Sequence, residues 1–280
     1  MEEIQWLTLY LDSLELVDKK SDMFRFPFED SFLAQFKDKF LDNLVVANNM
    51  LQAFALIKKC LEEGVIEKED EFNSSFKPEF FSFASNGFGN CYLWQDLSDD
   101  GLFYVKVTGY ISVADYIFRN KKINVNDKLY PLLFMLRNTL ELCLKRFFYI
   151  RVDNGIPKHI FFSKRKSHLI KKDLWKNVKP VLENYASGQK EYIKVINIVE
   201  KQLDAISSID KNGDTFRYPT SYSFQYKFNN VTIDLKNVYE YFCAIINFLD
   251  NCDLMLNEIV ECQDEMRAEY ESEILGNIDW

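Results

Sequence analysis

The sequence predicts a mostly α-helical protein with a small β or irregular insert. Three observations carry that prediction. Apolar residues recur at steps of three and four over several long stretches, the period of a helix with one buried face. Only 9 of the 280 residues are glycine, too few for an architecture rich in tight turns. Residues 129–150 form an intensely apolar helical run broken by a single polar stripe.

Taken in order, residues 3–18 read as a short amphipathic helix anchored by Trp6, Leu9, Leu11 and Leu14. Residues 29–63 read as a long helix. Its apolar positions run from Phe40 through Leu44, Val45, Met50, Leu51, Phe54 and Ile57 to Leu61, and Gly64 is placed for a left-handed cap. Residues 70–110 are rich in Phe, with Ser, Asn and Gly clusters. Within them, 102–108 (Leu-Phe-Tyr-Val-Lys-Val-Thr) has strand chemistry and predicts a hairpin or irregular cap. A short helix at 112–120 and a polar linker at 120–128 close this N-terminal region, placed at 1–120.

The second region, 121–280, opens with a helix over 128–151. Pro157 and a basic loop lead to a helix at 167–186, which Pro180 should kink or divide. Further helices are expected at 189–208 and from about 233 to 273. Between them, 221–233 alternates like an arm or hairpin around Asn229 and Asn230.

Composition sets the outer limits. Hydrophobic content of 48% with 28% charged residues is that of an ordinary globular chain. No run of 18 uninterrupted apolar residues occurs, so no transmembrane helix is expected. The acidic start, Met-Glu-Glu-Ile-Gln-Trp, lacks the cationic lead of a signal peptide. The six cysteines show no CxxC spacing, and with two histidines they predict no metal site and a reduced, cytoplasmic protein. No Gly-rich phosphate loop, GxSxG elbow or HExxH helix is present, and no cofactor is expected.

The formal charge of −9 disfavours indiscriminate nucleic-acid binding over the whole surface. Its distribution is polarised. Residues 144–179 hold eleven Lys or Arg against Asp153 and Asp173; residues 250–280 hold ten Asp or Glu against Arg267. Either the two stretches neutralise one another, within the fold or across a dimer, or the basic one is a polyanion-binding face. The residues for such a face are Lys164, Arg165, Lys166, Lys171 and Lys172.

The polar stripe of the 128–151 helix consists of Arg137, Asn138, Glu141 and Lys145, which share about 100° of helical arc. Charges inside so apolar a helix are costly unless paired or used. Arg137 with Glu141, and Glu141 with Lys145, are both i,i+4 pairs and can form an internal ion network.

Three landmarks of this half resemble the HEPN superfamily of helical-bundle proteins. The first is the apolar lead into Arg137-Asn-Thr-Leu-Glu-Leu-Cys-Leu-Lys145. The second is Ser167-His-Leu-Ile-Lys-Lys-Asp-Leu-Trp175, similar to that family's second helix. The third is Asp214-Thr-Phe-Arg-Tyr-Pro219, which looks like its Arg-Tyr-Pro turn. They cover roughly residues 125–255 in the expected order. The resemblance implies a HEPN-like bundle, a bacterial anti-phage or toxin–antitoxin setting, and homo- or hetero-oligomeric assembly with other proteins.

Many members of that superfamily are metal-independent ribonucleases that place a His four to six residues after an Arg. Here positions 142–144 are Leu, Cys and Leu, so that motif is absent. A variant site would draw on Arg137, Glu141, Lys145, His168 and Arg217: His as acid or base, arginines as phosphate clamps. Asn138, Asp214, Tyr218 and Pro219 are expected to serve structure, the last two by fixing the turn. The alternatives are therefore a non-enzymatic or weakly enzymatic assembly component, acting mainly through protein contacts with RNA or nucleotide binding as an addition, a variant ribonuclease, or a structural subunit unconnected with nucleic acid. No membrane partner is expected.

Overall fold

The computed structural model describes residues 2–18, 36–61, 72–92, 99–152, 168–186, 188–218, 220, 225 and 231–276. Helices dominate them. In chain order the elements are α1 (Glu2–Asp18), β1 (Phe40–Leu41), α2 (Asn43–Leu61), β2 (Phe83–Ala84), β3 (Cys91–Tyr92), α3 (Asp99–Arg119), α4 (Val125–Phe147), α5 (Lys176–Tyr185), α6 (Lys190–Ile209) and α7 (Leu235–Gly276). Two wide π-helical turns, Phe148–Val152 and Ile170–Trp175, extend α4 and lead into α5. The chain divides into two units, Met1–Leu102 and Phe103–Trp280.

In the first unit α1 packs on α2 around Trp6, Tyr10, Ala53, Leu56, Phe80 and Phe81. Trp6 stacks on Tyr10 at 5.3 Å and donates its indole N–H to the Phe76 carbonyl at 2.6 Å. A three-stranded antiparallel sheet of two-residue strands, in the order β2-β1-β3, pairs Phe40 with Ala84 and Tyr92.

Of the anchors the sequence suggests, Trp6 and Leu14 pack on this core, while Leu9 and Leu11 do not. Tyr10 is buried, whereas Leu9 and Leu11 are exposed. On α2 the inner positions are Asn49, Gln52, Ala53 and Leu56; Leu44, Met50, Leu51, Phe54 and Leu61 face outward. The reason is hydrogen-bond demand. Asn49 donates to the Lys77 and Glu79 carbonyls at 3.0 Å each, and Gln52 accepts from the Asn73 N–H at 2.8 Å. An irregular segment laid against a helix needs such partners for its backbone groups. The helix therefore turns a polar stripe inward. Among the described residues α2 is the one helix long and apolar enough, by length and composition alone, to cross a membrane.

A larger correction falls on 102–108. That strand-like segment is helical and belongs to α3. Phe103, Val107 and Ala114 are buried, at helical steps of four and seven. Local β preference is a weak prior, and burial at a helical period overrides it. The short helix expected at 112–120 is the end of this element. Strand structure lies instead at Phe83–Ala84 and Cys91–Tyr92, paired with Phe40–Leu41, inside a stretch read as helix.

The second unit is a bundle in which α4 and α7 pack most extensively. Asn124 caps α4 by accepting from the Asn126 N–H at 3.0 Å. Lys128, although buried, donates to the Phe118 carbonyl at 2.8 Å, satisfying a carbonyl near the end of α3. Asp234 accepts from the Asn237 N–H at 3.0 Å and begins α7. The interior of α7 is Phe242, Ile245, Ile246, Leu249 and Leu256, the positions that periodicity selects. Around 167–186 the irregularity is the wide turn Ile170–Trp175, and α5 runs through Pro180 to Tyr185. The cap Gly64, the loop with Pro157, Ser167, and the arm at 221–230 apart from Gln225 lie outside the described residues.

Of the six cysteines, Cys143 is the most deeply placed. Burial pushes its thiol up to about 12, with the neighbouring Asp250 adding to the effect and Arg146 opposing it. Cys60, Cys91 and Cys262 are exposed. In a native protein at pH 8, iodoacetamide should therefore modify Cys60, Cys91 and Cys262 and leave Cys143 untouched until denaturant is added, as peptide mass mapping would show.

Candidate functional site

The polar stripe of α4 is sealed inside the second unit. Arg137, Asn138, Glu141 and Lys145 are each 3% exposed or less. At its centre stands Glu141, held on three sides. Arg137 Nη1 donates to Glu141 Oε2 at 3.0 Å. Lys145 Nζ lies 2.8 Å from Oε1, and His168 Nδ1 lies 2.8 Å from the same oxygen. The two i,i+4 spacings thus become two buried ion pairs, and the imidazole arrives from 27 residues downstream.

Arg137 is saturated differently along its guanidinium. Nη2 donates to the backbone carbonyl of His168 at 2.7 Å. Nε sits 3.3 Å from Asp210 Oδ2, an ion-pair distance without hydrogen-bond alignment. Asp210 is itself buried and accepts from the Thr215 N–H through Oδ1 at 3.0 Å. The sequence reading missed Asp210. Its only signal was position: an acid directly after a helix end, in the loop that precedes the Arg-Tyr-Pro corner.

Beyond the Asp210 side chain, that loop approaches the cluster through its backbone at Gly213. Gly213 adopts φ +77°, a left-handed conformation that favours glycine. A Cβ there would stand 3.4 Å from both Arg137 Nη2 and His168 Cβ. Asp214 accepts from the N–H groups of Arg217 and Tyr218 at 3.2 and 3.1 Å, forming the turn. The Arg217 guanidinium lies over the Tyr218 ring, 5.3 Å from its centroid. Pro219 lies outside the described residues.

The electrostatics follow from this geometry. Burial opposes ionisation of Glu141, but Lys145, the His168 hydrogen bond and Arg137 together outweigh it. The carboxyl is held well below the usual Glu range. Among the described residues, the cluster sets Arg137 and Lys145 against Glu141 and Asp210. His168 is its solvent-facing member, with about a third of its side chain exposed. The Asn138 amide is buried, and neither of its polar atoms has a hydrogen-bond partner among the described residues.

Lys145 and Arg137 are thus occupied by protein carboxylates, which is the ion-network alternative rather than an open anion clamp. Of the residues named for a basic face, Lys171 pairs with Asp204 and Lys172 is exposed. Lys179 pairs with Glu200 at 2.6 Å and Glu183 at 3.5 Å. Lys164, Arg165 and Lys166 lie outside the described residues, as do Lys158 and His159.

A second ionic cluster joins the basic stretch to the acidic one. Arg146 reaches Asp250 at 3.4 Å and Asp253 at 2.9 Å. Arg151, on the wide turn after α4, meets Asp253 Oδ1 at 3.1 Å and donates to the Asp253 carbonyl at 3.2 Å. A further bond runs from Arg151 to Asn257. Part of the opposed charge is therefore neutralised inside one chain, where α4 meets α7.

No group of three or more His, Cys, Asp or Glu among the described residues is arranged to hold a metal ion. No protein-family model, curated protein or solved structure matches the chain.

Proposed function

We propose that this protein is a non-catalytic component of a bacterial anti-phage or toxin–antitoxin-type assembly, HEPN-like in its second unit and working through protein contacts. One observation carries the reading: the charges that a nuclease would aim at phosphate are buried and spent on one another. Arg137 serves Glu141, Asp210 and a main-chain carbonyl, and Lys145 serves Glu141. A phosphate clamp needs donors free to reach an incoming oxyanion. What remains for the network is to hold α4, the segment at His168 and the loop after α6 in register.

The second reading, a variant metal-independent ribonuclease, is favoured by one feature. A partly exposed imidazole stands 2.8 Å from a buried carboxylate, the pairing that orients a general acid or base. The two readings separate in one assay. Single-stranded RNA incubated with the protein in chelator should stay intact over hours. Cleavage that disappears in His168→Ala, while the far-ultraviolet circular dichroism is unchanged, would overturn the proposal in favour of the ribonuclease. His168 suits the test because it lies at the edge of the cluster, where its loss leaves Arg137, Lys145, Glu141 and Asp210 still paired.

A further inference from the structure

We infer that the C-terminal part of α7 is a docking helix for a basic, amphipathic helix of a partner protein. Helix α7 runs for 42 residues, Leu235–Gly276. Its first half is core, but every residue from Glu261 to Ile274 is exposed. At about 1.5 Å per residue, the acidic stretch from Glu258 to the helix end spans roughly 28 Å.

Two properties of this stretch point to the same occupant. The first is its apolar seam. Leu256, Ile259, Met266, Tyr270 and Ile274, with the polar Gln263 between the second and third, follow at steps of three or four, the spacing of a helix-pairing stripe. The seam begins inside the bundle, where Leu256 is fully buried. It then continues outward, with Met266 57% and Tyr270 65% exposed.

The second property is charge. Residues 258–273 carry seven acids, Glu258, Glu261, Asp264, Glu265, Glu269, Glu271 and Glu273, against Arg267. Glu261, Glu265, Glu269 and Glu273 stand four apart in succession, so like charges face one another along the helix. Repulsion at that spacing destabilises a helix, and no packing offsets it here. The nearest compensation within the stretch is Arg267 to Asp264 at 3.8 Å.

A partner helix with Leu-type residues in its seam and Lys or Arg on both flanks would supply what is missing on both counts. It would cover the seam and lie beside the acidic rows. A second copy of α7 would cover the seam too, but would set two strongly acidic stretches against each other.

The inference names a partner for the assembly role proposed above and rests on that reading. The two can fail separately, because RNA cleavage reads the Glu141 cluster whereas peptide binding reads the α7 surface. The experiment titrates the full chain with three fluorescent 21-residue peptides, followed by anisotropy. One has a Leu seam flanked by Lys, one has the same seam flanked by Glu, and one has the Lys composition with its seam scrambled.

The Lys-flanked peptide should bind at least tenfold more tightly than either control. Its affinity should fall at least tenfold between 50 and 500 mM NaCl. The pair Met266→Glu and Tyr270→Glu together should abolish it without changing the circular dichroism, since both side chains are exposed. Equal binding of the scrambled peptide would reduce the surface to a generic polyanion and overturn the inference. So would binding that survives the double substitution, or sedimentation showing a dimer that the double substitution dissociates.

Discussion

Glu141→Gln is expected to destabilise the second unit by about 3–5 kcal/mol, the range for removing one member of a buried ion pair. The substitution keeps the shape of the side chain, so the loss reports charge and not a cavity. Arg137 keeps Asp210 at 3.3 Å, whereas Lys145 loses the Glu141 carboxylate at 2.8 Å while remaining almost wholly buried. Urea titration followed by circular dichroism should show the midpoint for this unit falling by roughly 2 M, taking about 2 kcal/mol per molar as the slope. A midpoint within about 0.3 M of the parent, about 0.6 kcal/mol at that slope, would mean that the network holds nothing in place.

The same carboxylate fixes the direction of a pH effect. Its folded-state pKa is lowered, so between that value and the ordinary Glu value the unfolded chain binds more protons than the folded one. The stability it contributes is present above the unfolded-state pKa, about 4.3, and is lost as pH falls toward the lower folded value. The parent should therefore lose stability on acidification from pH 6 to pH 3 more steeply than Glu141→Gln. Parallel pH profiles would show that the carboxylate does not carry that dependence.

The next largest effect is expected at the α4–α7 contact. Asp253 is buried and faces two arginines, Arg146 at 2.9 Å and Arg151 at 3.1 Å. Asp253→Ala leaves Arg146 with Asp250 at 3.4 Å and leaves Arg151 with Asn257 and the Asp253 carbonyl. Partial compensation makes the expected cost about 2–4 kcal/mol, less than at Glu141, because each guanidinium keeps a polar neighbour. The double substitution with Arg146→Met should recover part of it, since the buried cation that faced Asp253 is then removed. Additive costs in that double-mutant cycle would show that Arg146 and Asp253 are not energetically coupled.

Much of the second unit is legible from periodicity. The α6 boundaries, the α7 core of Phe242, Ile245, Ile246, Leu249 and Leu256, and the α4 stripe all follow from positions of apolar and charged residues on a helix. The two i,i+4 ion pairs are legible for the same reason, because a helix brings those positions together by its own geometry. The first unit is much less legible. On α2 the apolar residues Leu51 and Phe54 face outward, because the segment 73–79 needs Asn49 and Gln52 as hydrogen-bond partners. No local pattern announces that demand, just as none announces that 102–108 would be helical.

The sequence by itself determined that the protein is helical, that α4 carries charge into an apolar environment, and that Arg137, Glu141 and Lys145 stand on one stripe. Tertiary structure alone decided what that charge meets. His168 and Asp210 come from 27 and 69 residues beyond Glu141, and Gly213 closes over them through a left-handed turn. The physical reason is range: a helix specifies its neighbours at three and four residues, whereas a buried charge selects its partners by proximity in the folded chain, whatever their distance in sequence.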